Sequence, residues 1–167
     1  MSEKMLYDFC PLTPADLDLV NGWIATPHVA QWWTDAEGPA TFIDPADFDD
    51  ADFRMWLVHL DGRPFAYIQD YNPLLYPDHH FFDRKAPVRG IDQFIGDPDM
   101  VGVGHGSALV RQRVRMLFAE GVDLVVTDPN PANARAIRAY EKAGFKAYNE
   151  TVSPKYGPSL LMQCAKS

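Results

Sequence analysis

The feature that most constrains the fold is a glycine-rich turn that opens directly into a helix, within residues 101–119. Gly102, Gly104 and Gly106 alternate with other residues there, and an apolar face at helical spacing follows them. Glycine allows backbone conformations that a side chain forbids, and it lets a ligand approach the main chain closely. The first N–H groups of a helix have no acceptor within the helix and lie at the positive end of its dipole. The pattern predicts either a simple turn or an anion site, most naturally for a phosphate or pyrophosphate.

A second helix is expected after a short apolar strand. Residues 122–126 are a largely β-branched run, which is typical of a buried strand. The turn Asp128-Pro129-Asn130-Pro131 ends this strand, and a helix is expected to begin near Asn133. That helix ends in Ala143-Gly144-Phe145, so strand and helix alternate through this half of the chain.

The rest of the chain alternates strands and short helices, which predicts a mixed α/β fold. Strands are expected at residues 6–12, 53–60, 64–70, 88–95, 146–152 and 159–164, and Asp61-Gly62 is a strong hairpin signal. Helices are expected from Thr13 to about Ile24, and from Thr26 through residues 29–33. A long aromatic loop covers residues 71–87. With 167 residues and no linker or repeat, we expect one domain spanning residues 1–167.

Charge is distributed unevenly along the chain, whose net charge is −8. Residues 1–53 hold eleven carboxylates and one lysine, whereas residues 101–146 hold seven lysines or arginines and four carboxylates. A basic region suits a phosphate-rich cofactor, and an acidic region suits a cationic partner. The alternative is that both are solvated surfaces. The acidic first part also argues against a nucleic-acid partner.

Several other classes of protein are excluded or disfavoured. No apolar run approaches the roughly 20 residues of a membrane span, and the first residues do not resemble a secretory signal, so we expect a cytoplasmic location. Cys10 and Cys164 form neither a disulfide framework nor a metal motif. The five histidines show no metal-ligand spacing, so no metal is expected. No serine lies in the G-x-S-x-G context of a hydrolase.

The two halves of residues 99–145 together resemble the GNAT superfamily of N-acetyltransferases. In that family a glycine-rich turn and its helix bind the pyrophosphate of acetyl-CoA, and an N-x-x-A-x-x-x-Y-x-K-x-G-F segment follows. The matching residues here are Asn133, Ala136, Tyr140, Lys142, Gly144 and Phe145. The superfamily often begins the glycine turn with Gln or Arg, where this chain has Val101.

Within the superfamily, the chain is more specifically similar to the aminoglycoside 6'-N-acetyltransferases, which confer antibiotic resistance. The resemblance covers most of residues 27–161. It rests on the segments HVAQWW (28–33), AYIQDY (66–71), RGIDQ (89–93) and VTDP (126–129), together with the glycine turn. It implies a mostly antiparallel sheet whose middle strands splay apart to admit the pantetheine arm, with helices on its sides.

The resemblance also implies a cofactor site for acetyl-CoA as co-substrate. The polarising N–H for the thioester is expected near Phe94 or Ile95. The expected cofactor residues are Phe94, Ile95, Val101, Gly102, Val103, Gly104, His105, Gly106, Ser107, Asn133, Ala136 and Tyr140.

Two residues are expected to carry the chemistry of direct acetyl transfer in a ternary complex. Asp92 lies in a mostly apolar strand, and by resemblance it faces the acceptor amine as the general base. The alternative is a structural ion pair with Arg89 or Arg54. By resemblance, the Tyr140 hydroxyl lies near the cofactor sulfur and protonates the leaving thiolate. The alternative is a packed aromatic residue with a satisfied hydroxyl.

The acceptor is expected to be a small cationic amine, with the 6'-amine of an aminoglycoside as the leading candidate. Aromatic faces and carboxylates suit such a polycation. The expected contact residues are Trp32, Trp33, Asp70, Tyr71, Asp92 and Asp128. Asp128 could instead cap its turn with Asn130. Other acceptors stay open, namely a hydroxylysine, a polyamine or a protein N-terminus, as do a non-catalytic acyl-CoA-binding module and a monomeric or homodimeric state.

Overall fold

The computed structural model describes residues 6–36, 38–85 and 87–167, which form a mixed α/β structure around one seven-stranded sheet. The strand order is β1-β2-β3-β4-β5-β7-β6, and every neighbouring pair is antiparallel except β4 and β5. The mostly antiparallel sheet expected from the sequence is therefore present. The strands are β1 (Asp8–Pro11), β2 (Arg54–Leu60), β3 (Arg63–Tyr71), β4 (Val88–Ile95), β5 (Leu124–Thr127), β6 (Lys146–Ser153) and β7 (Gly157–Ala165).

The described residues form four α-helices beside the sheet, namely α1 (Leu17–Ile24), α2 (Pro27–Ala30), α3 (His105–Ala119) and α4 (Ala134–Lys142). The predicted bounds of α1, α3 and α4 hold to within a few residues. The second helix is shorter than predicted, because it ends at Ala30 and leaves Trp32 and Trp33 in a turn. No helix within the described ranges combines the length and the apolar character needed to cross a membrane.

The two faces of the sheet carry separate apolar cores. One face packs against α3 and α4 through residues such as Ile68, Ile91 and Leu109. The other face packs against α1 and α2, where Val20 and Ile24 meet strand residues of β2, β3 and β4. Because successive residues of a strand point to opposite faces, each strand contributes alternately to the two cores.

The sheet is irregular where β4 and β5 meet, because the two strands pair over only part of the length of β4. These parallel strands pair only where residues 88–90 meet residues 124–126, although β4 continues to Ile95. Beyond Gly90, the described part of the chain offers β4 no strand partner on that side. The hydroxyl of Thr127 donates a hydrogen bond to the carbonyl of Ile91 at 2.9 Å, at the point where the strands separate. The splayed middle strands expected from the resemblance are thus observed.

The long helix α3 contradicts one expectation from the sequence. The helical pattern leaves Arg113 largely off the apolar face of α3, which predicts a solvated side chain, but the side chain has no exposed surface. It lies on the face that packs against the sheet, where it meets the buried carboxylate of Asp70 at 2.9 Å. The sequence pattern predicts exposure for an arginine in such a helix, because the carboxylate that allows its burial lies on another element.

Candidate active site

The position of Asp92 follows from the register of two neighbouring strands. Gln69 of β3 is its direct partner across the sheet, so the two side chains share a face. Gln69 Nε2 donates to Asp92 Oδ2 at 3.0 Å, and the hydroxyl of Tyr67 donates to Gln69 Oε1 at 2.8 Å. The chain of hydrogen bonds orients the Asp92 carboxylate at the edge where β4 and β5 separate.

A second carboxylate, Asp128, lies against Asp92. Burial raises the pKa of Asp92 first, and the nearby Asp128 adds to it through its charge and a hydrogen bond, while the Gln69 donor opposes them. The resulting pKa of Asp92 is about 8. Two carboxyl groups this close cannot both ionise easily, so the pair holds one proton near neutral pH.

The alternative for Asp128, a cap shared with Asn130, is not what the structure has. Asn130 accepts a hydrogen bond from the N–H of Ala132 at 2.9 Å and so caps its own turn. The carboxylate of Asp128 instead meets Nε2 of His80 at 2.7 Å. Asp128 therefore faces the sheet site and the loop of residues 71–87.

The structural alternative for Asp92, a pairing with Arg89 or Arg54, is also absent. Both arginines bind Asp70 instead, at 2.7 Å in each case. Asp70 follows Gln69 in β3, so its side chain points to the opposite face of the sheet from Asp92. The arginines and the proposed base are consequently separated by the sheet itself.

This arrangement corrects the expectation that Asp70 contacts the acceptor. Its side chain has no exposed surface, and it accepts hydrogen bonds from Arg54, Arg89, Arg113 and the indole of Trp56. Burial alone would raise the pKa of Asp70, but the arginine charges, led by that of Arg113, outweigh it and hold the pKa below its usual value. Asp70 is therefore part of a buried ionic cluster that joins α3 to the sheet.

Tyr140 projects from α4 toward the same opening and is almost fully buried. Burial raises the pKa of its hydroxyl, and the charge of Asp92 raises it further, whereas the side chains of Thr127 and Gln93 act against the rise as hydrogen-bond partners. A phenol with a raised pKa stays protonated, and a protonated hydroxyl can donate to a developing thiolate.

The open edge of β4 supplies backbone groups for a bound cofactor. Gly96 N–H donates to the Phe65 carbonyl of β3, while the Ile91 carbonyl faces Thr127 on the open side. Since strand residues alternate, the N–H of Ile95 points to the open side and that of Phe94 points to β3. The ring of Phe94 stacks on Tyr67 in the core beside α1 and α2. Of the two expected polarising N–H groups, only that of Ile95 faces the opening.

The glycine turn has the backbone that the sequence predicted. Gly102 and Gly104 have φ values of 77° and 97°, which favour glycine, and Gly104 is the N-cap of α3. Val103 is mostly exposed, Val101 is half-buried, and the hydroxyl of Ser107 donates to the Gly104 carbonyl. Gly106 lies in the first turn of α3, where the N–H groups have no acceptor within the helix. This end of α3 therefore presents N–H donors to an anion.

Three expected cofactor residues have structural partners of their own. His105 turns toward β1, where its Nδ1 meets the Tyr7 hydroxyl at 2.8 Å. Asn133 is the N-cap of α4, and its side chain accepts from the N–H of Ala136 at 3.2 Å. Ala136 itself packs against the core beneath α3 and α4. Their proposed contacts with the cofactor stay predictions.

The aromatic residues expected around the acceptor lie in different environments. Trp33 packs edge-on against Phe94 with ring centroids 4.8 Å apart, whereas Trp32 is 38% exposed. One indole is therefore packed in the core and the other is partly exposed. Tyr71 lies over Gly90, where an added Cβ would come within 2.5 Å of the ring. The glycine of the RGIDQ segment is thus required by the close approach of Tyr71.

The loop of residues 71–87 brings two histidines to the carboxylate pair. His79, His80 and Asp128 place possible ligand atoms within 4.8 Å of one another. Each atom already has a partner, since Nδ1 of His79 accepts from the N–H of Phe81 at 3.1 Å and His80 meets Asp128. Burial and the neighbouring His80 lower the pKa of His79 to about 4. The group is a hydrogen-bonded cluster, and the expectation that the protein needs no metal stays a prediction.

Comparison with known proteins decides the family. A sequence model described as an acetyltransferase (GNAT) domain matches residues 13–152, which is most of the chain. The chain belongs to the GNAT acetyltransferases. The family, fold and enzyme class expected from the sequence are therefore confirmed for this acetyltransferase.

Several relatives of this GNAT acetyltransferase are aminoglycoside acetyltransferases. An aminoglycoside N(6')-acetyltransferase type 1 of Klebsiella pneumoniae is 35% identical over 159 residues, which cover 90% of this chain and 79% of the relative. The structure of AAC(6')-Ib with paromomycin and acetyl-CoA is similar at a TM-score of 0.84 and 32% identity, over 96% of this chain and 93% of that one. The same enzyme with ribostamycin and coenzyme A gives 0.85 and 31%, with the same coverage. Acetyl-CoA as co-substrate agrees with these complexes.

The sequence did not indicate several residues that lie at the candidate site. Gln69 was identifiable in principle, because the hairpin register places it opposite Asp92. Thr127 and Gln93 lie beside motif residues but carry no pattern of their own. His80 lies in the loop without a recognisable pattern, and only the three-dimensional structure brings it to Asp128.

Proposed function

We propose that this protein transfers the acetyl group of acetyl-CoA to the 6'-amine of an aminoglycoside, with Asp92 as the base and Tyr140 as the acid. The observation that carries the proposal is the position of the Asp92–Asp128 pair at the open edge of β4, beside the buried Tyr140. Two carboxyl groups holding one proton match the needs of a site that binds an ammonium group and then deprotonates it.

The proposed reaction begins with the acceptor bound as an ammonium ion between Asp92 and Asp128. Its positive charge favours the ionised form of both carboxyl groups, so Asp92 becomes able to accept a proton from the nitrogen. The neutral amine attacks the thioester carbonyl, whose developing negative charge is stabilised by the N–H of Ile95. As the carbon–sulfur bond breaks, the Tyr140 hydroxyl protonates the thiolate, and the phenolate then takes up the second proton that the acceptor nitrogen loses as the amide forms.

The acceptor side of the proposal rests on charge and on similarity. Asp92 and Asp128 are partly buried carboxylates at the opening, and Trp32 offers an exposed indole. Residues 1–53 add a strongly acidic surface that would attract a polycation. The named relatives act on or bind aminoglycosides. We place the reaction in one domain spanning residues 1–167, in the cytoplasm, in a monomer or a homodimer.

Two other functions are kept as outcomes of the test. A GNAT enzyme that acetylates a polyamine, a hydroxylysine or a protein N-terminus would use the same base and acid. A module that only binds acyl-CoA would need neither, so the placement of Asp92 and Tyr140 at one opening favours an enzyme.

The decisive experiment measures coenzyme A release from acetyl-CoA with a panel of amines. The panel pairs ribostamycin- and kanamycin-type compounds, which carry a 6'-amine, with paromomycin-type analogues, which carry a 6'-hydroxyl, and adds spermidine, lysine and hydroxylysine. We expect turnover of the 6'-amines and none of the 6'-hydroxyl analogues. Turnover confined to another amine would replace the acceptor, and acetyl-CoA binding without turnover on any amine would favour the binding module.

A further inference from the structure

The contact between His80 and Asp128 takes no part in the steps of the proposed reaction. Nε2 of His80 lies 2.7 Å from Oδ2 of Asp128, and both side chains are largely but not fully buried, at 11% and 13% exposure. Asp128 in turn lies close enough to Asp92 to raise its pKa through charge and hydrogen bonding. The three side chains form a continuous path from the proposed base to the partly exposed loop of residues 71–87.

We infer that His80 is a positioning residue of the acetyl-transfer site, which orients the Asp128 carboxyl and carries the proton released in each turnover out to solvent. The inference rests on the proposed function. It concerns a residue of the loop between β3 and β4, outside every motif on which the family resemblance depends.

The proposed reaction releases one proton in each turnover, and that proton must reach solvent. An ammonium acceptor loses two N–H protons when it becomes an amide, and the thiolate of coenzyme A takes up one of them through Tyr140. The N–C bond forms, the C–S bond breaks, and one proton is left for solvent. That proton moves from the acceptor nitrogen to Asp92, from Asp92 to Asp128, and from Asp128 to Nε2 of His80. The imidazolium then releases a proton from Nδ1 to solvent, which leaves the Nε2–H tautomer, and exchange of the ring proton with solvent restores the Nδ1–H tautomer before the next turnover.

The groups around His80 are consistent with a transient positive charge. Asp128 at the end of β5 faces its Nε2, and Asp83 in the same loop lies close enough for the His80 charge to affect its pKa. The opposing groups are His79, whose ring centroid lies 4.4 Å away, and Lys155 in the turn between β6 and β7, which acts on His79. Tyr156 of that turn packs at 6.4 Å from the His80 ring. His79 has a pKa lowered to about 4, so it is neutral near pH 7 and leaves His80 as the histidine that takes the proton.

The test uses His80→Gln, because a glutamine can keep a hydrogen bond to Asp128 but cannot carry a proton. The acceptor is the best amine of the wild-type panel. We expect kcat to fall on the order of 10²-fold, the lower end of what a positioned proton-transfer group contributes, while the KM for acetyl-CoA stays unchanged. Added imidazole is expected to restore kcat of the variant in a concentration-dependent way. The matched control is His59→Gln on β2, which is expected to keep wild-type kcat and to show no imidazole effect.

Four outcomes would overturn the inference. The first is a His80→Gln enzyme with wild-type kcat, and the second is a loss of kcat that imidazole and other buffers leave unchanged. The third is a wild-type enzyme whose kcat itself rises with imidazole, which needs no variant and therefore holds even if His80→Gln fails to fold. A loss of activity on treatment with a chelator, restored by Zn²⁺, would likewise replace the proton path with a metal site. Failure of the proposed function is a separate result, seen as absent turnover of 6'-amines by the wild type; absence on every amine would overturn both.

Discussion

Gln69 Nε2 donates a 3.0 Å hydrogen bond to Oδ2 of Asp92, and the two residues are direct partners across β3 and β4. The Tyr67 hydroxyl holds the Gln69 amide in that orientation. The proposed base is thus oriented by residues of two central strands, while its affinity for a proton is set mainly by burial and Asp128. Strands hold side chains more rigidly than loops do. Single isosteric substitutions can therefore test the orientation and the protonation of the Asp92 carboxyl group separately.

The rate of acetyl transfer is expected to depend on pH through Asp92. Its pKa is raised to about 8, so the carboxylate form that accepts a proton becomes more abundant as the pH rises toward that value. We expect kcat/KM for the acceptor, which reports the ionisation of the enzyme without bound acceptor, to increase between about pH 6 and pH 8. Asp92→Asn is expected to lower kcat by roughly 10²- to 10⁴-fold and to leave acetyl-CoA affinity unchanged. A wild-type kcat/KM that is flat over this range would contradict the assignment.

The raised pKa of Asp92 also predicts that the folded protein becomes less stable as the pH rises, whereas its activity increases. Between the usual carboxyl pKa and about 8, the folded protein holds a proton on Asp92 that the unfolded chain has released. Stability from this group is therefore fully present at low pH and is lost as the pH rises through about 8. We expect Asp92→Asn to be more stable than the wild type by about 1 kcal/mol near pH 8, with a smaller difference near pH 5. Thermal unfolding at both pH values measures this, and an equal difference at both would show that the proton is not held.

The fold and the local elements that carry the motifs were predictable from the sequence. The glycine turn, α3, β5 and α4 were recognisable because glycine, capping residues and periodicity act locally. Asp92 and Tyr140 were identified by resemblance, and the structure brings both to the opening of the sheet. The length of α2 was wrong because its four residues depend on packing rather than on a continuing helical pattern.

The misassigned residues depend on long-range contacts that a sequence does not display. Asp70 and Asp92 both looked like pocket carboxylates, but strand alternation sends them to opposite faces. Arg113 is 43 residues from Asp70 along the chain, and His80 is 48 residues from Asp128. Charge partners at such separations follow from the packing of whole elements, so neither the buried ionic cluster nor the histidine contact could be predicted.

Tyr140→Phe tests the proposed acid. Removing the hydroxyl leaves the packed ring against Phe145 in place, so we expect folding and acetyl-CoA affinity to be retained. The thiolate would then leave without a proton donor, and kcat is expected to fall by about 10²-fold. The matched control is Tyr148→Phe on β6, whose buried hydroxyl has no hydrogen-bond partner among the described residues. Steady-state kinetics of both variants measure the effect, and wild-type turnover by Tyr140→Phe would reduce Tyr140 to a packing residue.

Asp70→Asn tests whether the buried ionic cluster is structural. The substitution keeps the shape of the side chain but leaves Arg54, Arg89 and Arg113 without their shared carboxylate. Breaking a buried ion pair on one side costs about 3–5 kcal/mol, because the remaining charges stay desolvated. We expect a marked fall in Tm, whereas the control Asp83→Asn, which breaks an exposed pair with Arg84, is expected to cost no more than about 1 kcal/mol. An unchanged Tm combined with a raised acceptor KM would instead place Asp70 in contact with the acceptor.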